Sequence, residues 1–193
     1  MLIVVSSPSG GGKSTVIGNI LKNDPEMEYS VSVTSRSPRA GEINGESYTF
    51  VSTEEFQKWI KEDRFYEWAR VHNHLYGTRK DVIGEKLARG KDVIMDLDFQ
   101  GGLNVKRQSP DAVLVFLLPP SLEVLEKRLR TRQTDGEDEI QARLKNAREE
   151  IGYATRYDYV LINDDLEKTI EELKGIIRSE RSRAQRLDIL SGE

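Results

Sequence analysis

Cysteine is absent from the 193 residues, which excludes disulfides and thiolate zinc sites outright. A reducing cytoplasm fits that lack. Histidine is scarce as well. His72 and His74 lie close together, but no third imidazole or thiol exists to complete a transition-metal site. Long apolar runs are missing too: Leu2-Ile3-Val4-Val5 is far too short for a signal sequence or a membrane span, and no longer run follows. There is no basic excess, since 29 Lys and Arg stand against 33 Asp and Glu for a net charge of −4. That balance argues against a general nucleic-acid binder. Internal repeats and low-complexity tracts are also lacking. What remains, 37% hydrophobic and 32% charged residues, is ordinary for a soluble globular protein. The length suits one compact domain with inserted substructures and is short for two independent cores. The expectation is a cytoplasmic enzyme with no membrane and no nucleic-acid partner. Nothing in the sequence speaks to oligomeric state.

The apolar run at residues 2–5 reads as a strand buried on both faces of a parallel sheet. Residues 6–12 are small and Gly-rich, hence a loop. From Lys13 to Lys22, Val16, Ile17, Ile20 and Leu21 share one helical face, and Asp24-Pro25 ends the helix. Tyr29-Ser30-Val31-Ser32-Val33 alternates like a half-exposed strand. The Asn44-Gly45 turn signal precedes a strand-like stretch at 48–51. Ser52-Thr53-Glu54-Glu55 opens a helix presenting Phe56, Trp59 and Ile60. The region from about 28 to 89 thus reads as an inserted mixed α+β subdomain.

Buried-strand patterns return at residues 93–98, 113–118 and 159–162. Helices carrying Leu122, Leu125 and Leu129, then Ile140, Leu144, Ala147 and Ile151, lie between the last two, separated by a polar mobile loop at 131–139. Asp164 with Glu167 caps a final helix striped by Leu166, Ile170, Leu173 and Ile177. Its Arg-rich last turns suit the negative helix C-terminus. Alternating strands and helices predict an α/β fold of three layers, with a central parallel sheet between helices.

Ser7-Pro8-Ser9-Gly10-Gly11-Gly12-Lys13-Ser14 nearly matches the phosphate-loop pattern G-x-x-x-x-G-K-[ST]. Consecutive glycines let backbone N–H groups turn inward around an anion. The following helix offers its positive dipole end and its unpaired first N–H groups. Lys13 would reach the β- and γ-phosphates, and Ser14 would hold Mg²⁺. Ser7 stands where the pattern has its first Gly. That position opens the loop, where a small side chain suffices. The competing reading is a Gly/Ser connector that happens to precede a lysine; the strand before it and the helix after it favour a phosphate site.

Phosphate loops serve many enzymes, so the acceptor region decides. Thr34-Ser35-Arg36-Ser37-Pro38-Arg39-Ala40-Gly41-Glu42, continuing through Gly45 to Tyr48-Thr49-Phe50, resembles the signature of guanylate kinases. Phe65-Tyr66-Glu67-Trp68-Ala69, Tyr76-Gly77-Thr78, Leu97-Asp98-Phe99-Gln100-Gly101, residues 116–120 with Ser121-Leu122-Glu123, and Asn163-Asp164-Asp165 follow in the family's order. The resemblance covers essentially the whole chain. It implies a core of residues 1–30, 90–125 and 150–193, a GMP-binding insert at 31–89 and a small helical lid at 126–149. It implies the reaction ATP + GMP → ADP + GDP, with dGMP as a further acceptor, in purine nucleotide metabolism and GMP recycling.

Guanine shows the donors N1–H and N2–H₂ side by side. One carboxylate can accept from both, whereas adenine offers an acceptor at N1 and meets repulsion. A polar site of this kind rejects the wrong base by roughly 10⁴-fold, because a mismatch strands buried polar groups. The resemblance gives the carboxylate's part to Glu67, with Ser32 and Thr78 as hydroxyl partners and Asp98 as a further acceptor. It places Arg36, Arg39, Tyr48 and Tyr76 on the GMP phosphate; guanidinium forks suit phosphate oxygens. Taken singly, each of these is an ordinary surface charge or core aromatic, and only their joint spacing lifts them above that.

Around Arg130, Lys127, Arg128 and Arg132 flank the polar loop, with Arg143 on the next helix. By resemblance Arg132 and Arg143, with Lys13 and Arg39, serve phosphoryl transfer. Arg128 lies nearer the adenine with Asn163 and Asp164, while residues 7–14 and Thr15 bind ATP. Gln133 stands where the family usually has Gly. Asp96, in an apolar strand, could orient Mg²⁺ through water in the Walker-B manner. Asp98, two residues on along a strand, would point to the same face, and the sequence leaves open which of the two serves metal and which serves base. Two other functions compete: a non-catalytic guanylate-kinase-like scaffold module, which typically loses loop residues that Lys13 and Ser14 retain here, and a related kinase for another phosphorylated sugar or nucleotide, against which Glu67, Ser32 and Thr78 favour guanine.

Overall fold

The computed structural model describes residues 1–71, 73–131 and 136–186. Five parallel strands form the central sheet. They are β1 (Leu2–Ser6), β2 (Met27–Tyr29), β7 (Asp92–Asp96), β8 (Val113–Leu118) and β9 (Tyr159–Ile162), in the order β2-β7-β1-β8-β9. β1 sits in the middle, paired on both sides, which is why its residues are apolar without alternation. Ile3 and Val5 face one layer of helices, where α1 (Lys13–Asn23) contributes Val16, Ile17 and Ile20, and α7 (Leu166–Arg181) contributes Ile170, Leu173 and Ile177. Leu2 and Val4 face the other, against Ile83 of α3 (Lys80–Ala88) and Val105 of α4 (Phe99–Gln108). Ile3, Val4 and Val5 are fully buried, each side chain worth roughly 1.5–3 kcal/mol of transfer free energy.

A second sheet, in the order β4-β3-β6-β5, holds β3 (Val33–Thr34), β4 (Thr49–Phe50), β5 (Phe65–Val71) and β6 (His74–Arg79). β5 and β6 pair antiparallel. Over them lies α2 (Thr53–Lys61), whose start is capped as the sequence predicts, Ser52 Oγ accepting from the Glu55 N–H at 3.1 Å. Phe56, Trp59, Phe65, Leu75 and Val33 form an apolar cluster separate from those of the main sheet, with Phe56 and Phe65 stacked at 4.5 Å. α5 (Leu122–Thr131) and α6 (Glu137–Ile151) share a fourth cluster of Leu125, Leu129, Ile140, Leu144 and Ala147.

Four expectations change. The strand expected at 29–33 is two strands in two sheets: Tyr29 pairs with Ile94 in the main sheet and Val33 with Gly77 in the second. Alternation over five residues cannot tell a single strand from a crossing between sheets. Asp98 is not on a strand, because β7 ends at Asp96. It is the N-cap of α4, its Oδ1 accepting from the Gly101 N–H at 2.7 Å. The cap of α7 is Asp165, accepting from the Lys168 N–H at 2.8 Å, rather than Asp164. Of the residues 131–139 expected as a loop, Thr131 belongs to α5 and residues 137–139 to α6.

Candidate active site

The phosphate loop leaves the sheet where β1 ends and turns into α1 at Lys13. Gly10 and Gly12 both have φ of +90°, a left-handed conformation that costs an L-residue roughly 1–2 kcal/mol. Gly11 answers a different need: a Cβ there would lie 2.9 Å from the Ser7 side chain. Ser7 is nearly buried and donates from Oγ to the Pro8 carbonyl at 3.1 Å. A side chain at the loop's first position is thus accommodated by the missing one at Gly11. The loop encloses a hollow of about 250 Å³ lined by Ser9, Gly10, Lys13, Ser14 and Asp96 among others. Main-chain N–H groups at the start of α1 border it, as an anion requires.

Lys13 is held at the floor of this hollow. Its Nζ lies 2.6 Å from Asp96 Oδ1 and donates to the Leu97 carbonyl at 2.9 Å. Asp96 and Ser14 line the same hollow, a carboxylate and a hydroxyl whose hard oxygens suit Mg²⁺. Among the described residues no group of three or more His, Asp or Glu side chains could cage a metal alone. A metal here would therefore share its coordination with bound phosphates, as Mg²⁺ commonly does.

Beside the loop opens a cavity of about 530 Å³, lined by Gly12, Thr15, Arg128, Asn163, Asp164 and Leu166 among others. Asn163 is buried and donates from Nδ2 to the Gly11 carbonyl at 2.8 Å, while Arg128 donates to the Asn163 carbonyl at 2.8 Å. Arg128 Nη1 is buried at this wall and has no hydrogen-bond partner among the described residues. From α6, Arg143 reaches across to Ser9 Oγ at 2.9 Å and also binds Glu139 at 2.8 Å. Arg132 lies outside the described residues, as do Gln133 and His72.

The second sheet presents the other half. Glu67 on β5 and Thr78 on β6 stand opposite each other in register, and Thr78 Oγ1 donates to Glu67 Oε1 at 2.7 Å. Burial, opposed by the Thr78 bond and reinforced by the charge of Asp98, holds the Glu67 carboxyl above its ordinary pKa. Glu67 and Asp98 flank Gly101: a Cβ there would lie 3.3 Å from Asp98 Oδ1 and 3.5 Å from Glu67 Cγ. Ser32 precedes β3, its carbonyl accepting from the Thr49 N–H at 2.9 Å. Arg36 is buried beneath Tyr48 and Phe50, 5.4 and 5.6 Å from their ring centres, and Tyr76 meets Tyr48 edge-on at 5.9 Å. Both arms of the Arg36 fork bind Glu42, each at 2.8 Å, and Glu42 also accepts from the Arg39 main-chain N–H at 2.7 Å. Arg36, then that N–H, pull the Glu42 carboxyl down to about 2. The Arg39 side chain is exposed.

The sequence motif gives Glu42 no task on its own; its spacing of six from Arg36, with Pro38 and Gly41 forcing a turn between them, is the signal for this contact. Ser6 and Tyr157, whose hydroxyls meet below the site at 2.8 Å, carried no signal at all.

A strand, glycine loop and helix at the centre of a parallel sheet, with a lysine on the loop and a carboxylate-bearing second sheet facing it, define a phosphate-loop phosphotransferase. The family model described as Guanylate kinase matches residues 1–180. The chain belongs to the guanylate kinase family. It is 45% identical over 186 residues to the guanylate kinase of Caldanaerobacter subterraneus subsp. tengcongensis, covering 96% of this chain and 90% of that one. With the guanylate kinase of Myxococcus xanthus it shares 46% over 191 residues, covering 98% and 91%. The crystal structure of guanylate kinase from Anaplasma phagocytophilum superposes with a TM-score of 0.75 at 32% identity, over 96% of this chain and 88% of that one. Shikimate kinase from Bacteroides thetaiotaomicron, 15% identical over 92% of this chain and 98% of its own with a TM-score of 0.51, shares the fold.

Proposed function

We infer that the chain phosphorylates GMP to GDP at the expense of ATP, with donor and acceptor meeting at the end of β7. One observation carries the division of labour. Lys13 of the phosphate loop binds Asp96 and the Leu97 carbonyl, and the next residue, Asp98, shares Gly101 with Glu67. Phosphate grip and purine carboxylates thus adjoin one three-residue segment. ATP lies with its phosphates in the loop 7–14 and at Thr15, and its base in the cavity of Arg128, Asn163 and Asp164. Lys13, Arg39, Arg132 and Arg143 neutralise the charge that spreads over the transferring group, which in a loose transition state is most of the protein's task. Ser14 directly, and Asp96 through water, would hold Mg²⁺, which would supply further neutralisation of phosphate charge.

GMP lies in the insert of residues 31–89. Glu67 accepts from guanine N1–H and N2–H₂, with Ser32, Thr78 and Asp98 around the base. Arg36, Arg39, Tyr48 and Tyr76 take its phosphate. Tight pairing of Arg36 with Glu42 holds the fork in place before an anion arrives. Because none of these contacts involves the sugar 2′-hydroxyl, dGMP is accepted as well. The lid of residues 126–149 closes on ATP, and the enzyme serves GMP recycling in the cytoplasm. Among the described residues no helix is long and apolar enough to cross a membrane. A coupled ADP-release assay with GMP, dGMP, AMP, CMP and UMP tests the reading. Turnover is expected with the two guanine nucleotides; equal rates with AMP would overturn it.

A further inference from the structure

Below the site, two consecutive carbonyls accept from side-chain donors elsewhere in the chain, and a third lies beside a hydroxyl. Leu97 O accepts from Lys13 Nζ at 2.9 Å, and Asp98 O accepts from Ser6 Oγ at 3.2 Å. Phe99 O lies 3.3 Å from the Tyr157 hydroxyl, which donates to Ser6 Oγ at 2.8 Å. Ser6 ends β1, immediately before the phosphate loop, and is fully buried. Tyr157 follows the short turn Ala154–Arg156, with its ring edge-on to Phe116 at 4.9 Å. The fit is close: a Cβ on Gly102 would lie 2.4 Å from the Tyr157 hydroxyl and 3.2 Å from Ser6 Oγ. Two hydroxyls buried in an otherwise apolar layer could have been replaced by apolar groups at little cost to stability. Their placement instead fixes the main chain at the residue whose carboxylate flanks Glu67.

We propose that Tyr157 and Ser6 are positioning residues for the acceptor half of the reaction, holding the backbone of Asp98 so that its carboxylate addresses the guanine base. The proposal rests on the assignment of Asp98 to the base. Neither hydroxyl touches substrate; each acts through Asp98. Their loss lets the first turn of α4 shift, which weakens GMP while Lys13 keeps its own two contacts and ATP binding is spared.

The test is steady-state kinetics of the intact protein with Tyr157→Phe, Asp98→Asn and the double variant. Tyr157→Phe is expected to raise KM for GMP about fivefold, the loss of one hydrogen bond's net worth, with kcat and KM for ATP within about twofold. In the double variant the increase is expected to be no larger than in Asp98→Asn alone, because the phenol has nothing left to position. Ser6→Ala, which leaves both rings in place, is expected to repeat the selective rise in KM and covers the case in which Tyr157→Phe fails to fold. Unchanged KM for GMP in Asp98→Asn would overturn the base assignment and this proposal with it. If instead Asp98→Asn raises KM while Tyr157→Phe and Ser6→Ala only lower the melting temperature, or if the two effects multiply, the positioning role alone is refuted.

Discussion

Gly12→Ala isolates the geometry on which the phosphate loop depends. The substitution adds one methyl group and no charge, yet two costs follow. The residue must keep φ of +90°, at roughly 1–2 kcal/mol for an L-residue. Its Cβ would also sit 2.3 Å from Asn163 Nδ2, so Asn163 must give up its bond to the Gly11 carbonyl. Breaking a buried hydrogen bond and stranding its acceptor costs about 1–3 kcal/mol. The sum, about 3 kcal/mol, lowers Tm by about 6–12 °C in a chain of this size. Because Asn163 also lines the cavity beside the loop, KM for ATP should rise about tenfold or more, while KM for GMP stays near its original value. Thermal melts and kinetics at saturating GMP check both figures. Gly175→Ala is the control: it lies within α7, where a new Cβ meets nothing within 4 Å, and it should stabilise by roughly 0.5–1 kcal/mol. A Gly12→Ala protein that melts within about 2 °C of the original would refute the reasoning.

Lys13→Ala should lower kcat by about 10²–10³-fold, the range for removing one donor from a preorganised site. Circular dichroism should remain unchanged, since Lys13 contacts Asp96 and a carbonyl and not the core; near-original turnover would exclude Lys13 from the phosphate grip. Glu67→Gln should lower the preference for GMP over AMP by about tenfold or more, since an amide oxygen cannot match a carboxylate facing two donors. The same change should stabilise the ligand-free protein in a pH-dependent way. A carboxyl whose folded pKa is raised stabilises fully below its unfolded value, ordinarily 4.5, and loses that contribution as pH climbs through the folded value. The gain in Tm should therefore grow as pH climbs through the folded value and vanish below about pH 4; a gain independent of pH would contradict it. Glu42 has the opposite sign. Held at about 2 against an ordinary 4.5, it stabilises above the higher value and loses this as pH falls through the lower one. Glu42→Gln should flatten the acid limb of the Tm profile in that interval, and an unchanged limb would show that the Arg36 pair is not made in solution.

The main sheet was legible because parallel strands buried on both faces write themselves as unbroken apolar runs: residues 2–5 and 113–118 are apolar almost throughout. α1, α2 and α5 to α7 announced themselves by spacing. α4 did not, because Gly101 and Gly102 interrupt its pattern; Gly102 is required by the close approach of Tyr157, and a Cβ on Gly101 would crowd Asp98 and Leu97. α3 was missed beside it, its stripe reduced to Ile83 and Leu87. The phosphate loop could be read from residue types, since anion binding by backbone demands glycine. The acceptor residues could not be read singly. Glu67, Thr78 and Asp98 come from two strands and a helix cap, and only the family resemblance joined them in advance. Contacts such as Glu42 on Arg36, or Tyr157 on Ser6 across 151 positions, depend on tertiary placement that no local pattern encodes.

The second sheet and α2 bury Phe56, Trp59, Phe65, Leu75 and Val33 among themselves rather than borrowing from the clusters around β1. That apolar cluster is its own, while Tyr66 of β5 packs against the layer of α3 and α4 and binds Gln108 and Ser109. If the proposed nucleotide seat lies on β3, β5 and β6, substitutions there should leave the phosphate loop and its neighbours largely intact, so that the main sheet serves as a common motor for different receptor cartridges. In directed evolution, libraries confined to that cartridge should alter which acceptor is chosen far more readily than how strongly the donor is held.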